Sequence, residues 1–135
     1  MILVDSDVLI AHLRGLPPAK SWLAEARTTT GPLAVSVVSV VEITGGMRSA
    51  QRSAVWRLLG SLRVQGVNEL IGRRAGELMR QHRRSEAAIG LGDYLIAATV
   101  DVRGLELATL NVRHFPMFKG LRAPFRVSID ESGSP

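Results

Sequence analysis

Cysteine is absent from the 135 residues, which excludes disulfides, thiolate nucleophiles and Cys-based zinc sites. Histidine is scarce, and His12, His82 and His114 lack the spacing of a structural zinc site. Aromatic residues make up only 4% of the chain, so few stacking platforms for nucleic-acid bases are available. Lysine is confined to Lys20 and Lys119, so nearly all of the formal net charge of +5 comes from arginine. No apolar run approaches the roughly 20 residues needed to span a bilayer. The strongest, Leu33 to Val41, is interrupted by serines. The N-terminal MILVDSDVLIAHL has two aspartates where an export signal would have a basic leader, so the expected location is the cytoplasm.

What is present suffices for one compact domain. A hydrophobic content of 46% in a chain of this length supports a single core, expected over residues 1–129 with a polar tail at 130–135. Arginine dominates the middle. Arg48, Arg52, Arg57, Arg63, Arg73, Arg74, Arg80, Arg83 and Arg84 face only Glu69 and Glu77 over the same stretch. Guanidinium groups suit bidentate contacts with phosphate, although two helices with solvated basic faces would give the same composition.

Hydrophobic spacing predicts alternating strands and helices. Ile2–Asp5 reads as a strand and Val8–Leu13 as a helix stopped by Gly15 and Pro17-Pro18. Ala19–Arg27 is a second helix, broken by Gly31-Pro32 ahead of a β-branched strand at Leu33–Val38. Ser39 is the expected N-cap of a helix running to Met47. Helices follow at Ala50–Leu62 and Glu69–Arg84 with a short strand at Arg63–Val67, then a helix from Asp93 to Val102, closed by Gly104. Leu105–Thr109 is the next strand and Phe125–Ile129 a last edge strand. The expected fold is therefore α/β, with a central parallel sheet of four to five strands and helices on both faces. Apolar faces at Trp56-Leu58-Leu59 and Leu78-Met79 read as core, a dimer seam or a partner groove.

Ligands in such sheets gather at the carboxyl ends of strands, which directs attention to Asp5, Ser36–Glu42 and Thr109–His114. Asp5, Glu42 and Asp93 each stand at a predicted strand end or helix start. Carboxylates brought together there would raise one another's pKa or share a hard cation, and Mg²⁺ or Mn²⁺ so held supports phosphodiester hydrolysis. Each acid also has a local explanation. Ser39-Val40-Val41-Glu42 matches a capping box, Asp93 suits a helix N-terminus, and Asp7 could cap the first helix.

Four segments point the same way. The opening VDSDVLIAHL, the stretch Val35–Glu42 followed by Gly46 and Arg48, the segment Ile89–Thr99 with Asp93-Tyr94-Leu95-Ile96-Ala97-Ala98-Thr99, and Ala108–Phe115 occur in the order and spacing of PIN domains. The chain resembles the VapC toxins of bacterial toxin–antitoxin pairs over essentially its whole length. That resemblance implies a PIN-like fold and endoribonuclease action on RNA such as tRNA or rRNA. It also implies Mg²⁺ as cofactor with Mn²⁺ as a substitute, a VapB-type antitoxin partner and a homodimer. By the same resemblance Asp5, Glu42 and Asp93 are metal ligands, with Asp7 beside them as a weaker candidate. Asn111 is a candidate catalytic residue that would ligate or orient a metal-bound water, and Arg48, Arg113 and His114 are candidate RNA contacts, His114 alternatively capping the turn before Phe115. One position departs from the pattern: His114 stands where many relatives have Asp or Glu.

Two alternatives come from other classes. A PIN-like domain with a decayed site would bind RNA or protein without cleaving. The Asp5-Ser6-Asp7 opening also fits haloacid-dehalogenase-type phosphatases, but those need a downstream lysine and a late acidic pair. Here Lys119 is the only downstream lysine past Lys20, and Asp130-Glu131 falls at the end of the chain.

Overall fold

The structure, a computed structural model, describes residues 1–85 and 87–127. Its elements run β1 (Ile2–Val4), α1 (Ser6–Leu13), α2 (Pro17–Thr30), β2 (Ala34–Ser36), α3 (Val37–Gly46), α4 (Arg52–Gly60), β3 (Arg63–Gln65), α5 (Glu69–His82), α6 (Leu91–Arg103) and β4 (Glu106–Ala108). Short 3-10 turns lie at Ser49–Gln51 and Val112–His114. The four strands pair in parallel in the order β3-β2-β1-β4, with Leu3 opposite Ala34 on one side and Leu107 on the other.

Side-chain alternation along the strands divides the interior into two cores. Val4, Leu33 and Val35 pack with Val8, Leu23, Ile43 and Val55 from the helices α1 to α4. Leu3 and Ala34 face the other way, toward Ile71, Ala75, Leu78 and Ile96 of α5 and α6. The central strands β1 and β2 are thus covered on both faces, while the edge strand β3 is largely exposed. Because β2 and β4 flank β1 on opposite sides, the strand order reverses between β1 and β4. That reversal marks, at the carboxyl ends of those two strands, the crevice position where open α/β sheets bind their ligands.

Several local expectations are corrected. Pro17 and Pro18 do not precede α2 but occupy its first turn, where the amide hydrogens they lack have no helical partner anyway. The second strand stops at Ser36, not Val38, because the Ser36 hydroxyl accepts the Val38 N–H at 3.0 Å and starts α3 there. Ser39 is consequently a buried residue inside the helix, and Glu42 lies in its second turn, too far along to complete a capping box. Asp5, rather than Asp7, caps α1. Gly104 ends α6 as expected, in the left-handed conformation at φ 64°. Of the proposed edge strand Phe125–Ile129, residues 125–127 are not a strand, and Phe125 instead packs against the first core. Residues 128–129 and the tail at 130–135 lie outside the described residues.

Leu58, Leu59 and Leu78 are core residues, whereas Trp56 is exposed. Two arginines of the basic stretch are used within the fold: Arg73 pairs with Glu69 at 2.6 Å, and Arg74 pairs with Asp101 at 2.6 Å and Glu77 at 3.1 Å. Among the described residues, no helix is long and apolar enough to cross a membrane.

Candidate active site

The crevice is built first around Asp5. Its backbone N–H still donates to Ala108 O at 2.9 Å, continuing the β1–β4 ladder by one residue. Its Oδ1 accepts the Ser6 N–H at 2.8 Å and begins α1. One residue therefore ends the strand, caps the helix and points a carboxylate into the switch point. The side chain is buried, at 6% exposure. Thr109, fully buried just past β4, lies with its hydroxyl 2.8 Å from Asp5 Oδ2 and 3.2 Å from Asp7 Oδ2. The same oxygen accepts the Asn111 N–H at 3.0 Å. Asp7 Oδ2 also accepts the Leu110 N–H at 3.0 Å, while Asp7 Oδ1 is buried without a hydrogen-bond partner.

Burial, followed by the Asp7 charge and a smaller push from Asp93, raises the Asp5 carboxyl from 3.8 to about 6. The Thr109 hydroxyl and the Ser6 amide work against that rise. Asp7 is raised as well, again chiefly by burial and against the Leu110 and Thr109 donors. Two adjacent carboxyls are thus held where their charged forms are costly. None of the ion pairs among the described residues involves Asp5, Asp7 or Glu42.

Asp93 enters from the first turn of α6, where its Oδ2 accepts the Gly90 N–H at 3.0 Å. The local explanation and the functional one coexist here, because the same oxygen lies 3.0 Å from His114 Nδ1. That nitrogen is in turn 3.0 Å from Asn111 Nδ2. Glu42, exposed on α3, is brought beside α6 by Gly92. A Cβ at that glycine would stand 3.2 Å from Val38 Cγ1 and 3.6 Å from Glu42 Oε2. Arg48 is exposed and lines, with Arg14 and Glu42, a cleft of about 420 Å³. Arg113 is exposed in the turn that carries His114.

The structure therefore connects Asp5, Asp7, Thr109 and Asn111 through hydrogen bonds, links Asn111 through His114 to Asp93, and sets Glu42 next to the start of α6. Among the described residues, no three carboxylate or imidazole groups converge tightly enough to enclose an ion with the side chains as they stand. The chemistry of the donors nevertheless fits a hard divalent cation. They are carboxylate oxygens, one of them buried and unpartnered, in a site short of positive charge. Sequence reasoning missed two contributors. Thr109 opens the strand-end stretch Thr109–His114 to which the sheet rule points, but its role as a hydroxyl between Asp5 and Asp7 went unread. The close approach at Gly92 leaves no mark in the sequence beyond the glycine itself.

Comparison with known proteins agrees with this geometry. The PIN domain family model matches residues 2–118. Over 127 residues, 94% of this chain and 95% of the relative, the sequence is 66% identical to Ribonuclease VapC10 of Mycobacterium tuberculosis. It is 38% identical to Ribonuclease VapC19 of the same organism over 125 residues, 93% of this chain and 100% of that one. A toxin–antitoxin complex from Klebsiella pneumoniae has the same fold, with a TM-score of 0.77 and 24% identity over 94% of this chain and 100% of that chain. So has Mycobacterium tuberculosis VapC20, a sarcin-ricin loop cleaving toxin, with a TM-score of 0.63 and 21% identity over 90% and 99%. With the sheet order, the acid-lined switch point and these matches together, the chain belongs to the VapC group of the PIN-domain family.

Proposed function

We propose that this chain is a divalent-cation-dependent endoribonuclease, the toxin of a cytoplasmic toxin–antitoxin pair. The observation that carries the reading is the buried Asp5 carboxyl, hydrogen-bonded through Thr109 to a second acid and raised to about 6 without a cationic partner. A purely structural strand end needs no such group. Asp5, Asp93 and Glu42 would hold Mg²⁺ or Mn²⁺, and the chemistry such an ion supplies is charge neutralisation at a phosphate and acidification of water. The chain's own residues provide the rest. Thr109 fixes the direction of the Asp5 carboxylate, Asn111 and His114 border the open side beside Asp93, and Arg48, which lines the same cleft as Glu42, would meet a phosphate.

A second cleft supports the antitoxin reading. Between α1, α2 and α4, a groove of about 410 Å³ has Leu13, Leu23 and Leu58 among its lining and Lys20, Arg27 and Arg57 as its cationic residues. It shares Leu13 with the cleft that contains Glu42 and Arg48. A peptide with an apolar face flanked by acids suits this groove and would extend into the cleft of Glu42 and Arg48. For the homodimer, the exposed Val37, Val41 and Leu91 offer apolar surface.

The direct test is incubation of the purified protein with total cellular RNA, with and without Mg²⁺ or Mn²⁺, beside Asp93→Asn. Discrete cuts that need both the ion and the aspartate are expected, and mapping their ends names the target. Absence of cleavage by antitoxin-free protein under every condition would overturn the enzyme reading in favour of a binding domain. Gly92→Ala probes the α3–α6 approach. It is expected to reduce cleavage about tenfold, because Val38, 3.2 Å from the added Cβ, must give way and α3, which carries Glu42, shifts with it. Global stability should change by less than about 1 kcal/mol, because alanine's helix preference offsets the contact with Val38. Activity and urea denaturation measured on the same preparation separate the two effects.

A further inference from the structure

His114 occupies the place where the family pattern calls for an acid, and its surroundings are those of a donor atom rather than of a turn cap. The ring is held from behind. In its 3-10 turn the His114 N–H donates to Asn111 O at 3.0 Å and the Phe115 N–H to Val112 O at 3.0 Å, and Phe115 is buried at 1% exposure. The imidazole is therefore carried on an anchored turn, with Nδ1 directed at Asp93 Oδ2 and Asn111 Nδ2, each 3.0 Å away.

That pair of neighbours makes opposite demands. A bare Nδ1 accepts from the Asn111 amide but then opposes its lone pair to the Asp93 carboxylate. A protonated Nδ1 serves Asp93 but meets the hydrogens of Asn111 Nδ2. A cation shared by Nδ1 and Asp93 Oδ2 removes the conflict: the single Nδ1 lone pair goes to the ion, and the amide of the exposed Asn111 turns from the ring to solvent. The spacing suits it, because two donors at right angles on an ion, each about 2.1 Å from it, lie about 3 Å apart.

We propose that His114 is a metal ligand that tilts the site's ion preference from Mg²⁺ toward Mn²⁺. This rests on the cation-dependent reading above. An all-carboxylate site suits Mg²⁺, whereas imidazole is a borderline donor that Mg²⁺ accepts poorly and first-row transition ions accept well. Exchanging an acid for a neutral ring also removes one negative charge, which weakens the hold on a hard ion that is bound mainly by charge.

The experiment measures binding, not turnover. Mn²⁺ is titrated into the metal-free full-length protein by electron paramagnetic resonance, Mg²⁺ is titrated in competition, and the Mn²⁺-loaded protein is examined by electron spin-echo modulation for a directly bonded nitrogen. The native protein is expected to hold Mn²⁺ at least about tenfold more tightly than Mg²⁺ and to show nitrogen coupling. His114→Ala should lose that coupling while His12 and His82 remain as internal controls, and His114→Asp should shrink the Mn²⁺ to Mg²⁺ ratio by strengthening Mg²⁺. Bound Mn²⁺ without nitrogen coupling in the native protein, or a ratio unchanged in His114→Asp, overturns the assignment and leaves the cation reading standing. Failure of both ions to bind overturns the cation reading itself, and the role of His114 with it.

Discussion

Replacing Asp5 with Asn is expected to make the metal-free protein more stable at neutral pH while removing its activity. The folded-state carboxyl titrates near 6 against 3.8 for an ordinary aspartate, so folding must carry a buried charge at pH 7. For a raised acid, the linked stability is fully present below the unfolded value, near pH 4, and is lost as pH rises through about 6. A shift of that size corresponds to roughly 3 kcal/mol as an upper figure, and about 1–3 kcal/mol is expected as the gain in Asp5→Asn at pH 7. The amide fits the existing contacts. Its oxygen can accept the Ser6 N–H, and its nitrogen can donate to Thr109, whose hydroxyl then turns fully toward Asp7. Thermal unfolding in the presence of a chelator should show the variant above the native protein at pH 7 and level with it near pH 4. Adding Mn²⁺ should narrow or reverse the order, because only the native site gains binding energy. Cleavage should fall by ~10²–10³-fold or more, the scale of a lost transition-state stabiliser. A variant less stable than the native protein at pH 7 would show that the Asp5 charge is stabilising where it stands, and would overturn the burial cost argued here.

Thr109→Val should have the opposite effect on stability. Valine keeps the shape and deletes one oxygen, but that oxygen lies within hydrogen-bond reach of Asp5 Oδ2, Asp7 Oδ2 and the Asn111 N–H. The position is fully buried, so water cannot replace the hydroxyl without disturbing the packing. Leaving a carboxylate oxygen and an amide unsatisfied is expected to cost about 2–4 kcal/mol. Thr109→Ser, which retains the oxygen and loses a methyl, should recover all but about 1 kcal/mol. Urea denaturation of the three proteins at pH 7 measures both differences. If Val and Ser variants are equally stable, the hydroxyl contributes only its volume, and the Asp5–Thr109–Asp7 linkage is not a source of stability.

The parts of the fold that the sequence announced are those where period and punctuation agree. Strand β1 with its terminal acid, α5 with its apolar spacing and basic exposed face, and α6 closed by Gly104 follow from local patterns that tertiary packing did not override. Misreadings cluster where two signals compete. In Leu33–Val41 the β-branched residues favour a strand throughout, and only the Ser36 side chain on the Val38 amide decides that the helix starts at Val37. At Phe125–Val127 an apolar run met a core that needed a filler rather than another strand. The site divides in the same manner. Asp5 and Asp93 were legible because each sits at or near an element boundary, where residues are free to serve function, whereas Glu42, inside α3, was legible only through the wording of its segment. Thr109 as a bridge and Gly92 as a close approach were not, since both depend on contacts between segments distant in the chain.

That distance has a consequence for synthesis. The bond from Thr109 to Asp5 joins residues 104 positions apart, and β1 acquires its second neighbour only when β4 is available to pair with it. A chain on the ribosome therefore carries its first acid from the outset but cannot assemble the crevice until nearly every element has emerged. For a protein that cuts RNA, the wiring of the sheet delays competence until translation is almost finished. A nascent or prematurely released chain ending before β4 lacks the second neighbour of β1 and, with it, the Thr109 side of the site.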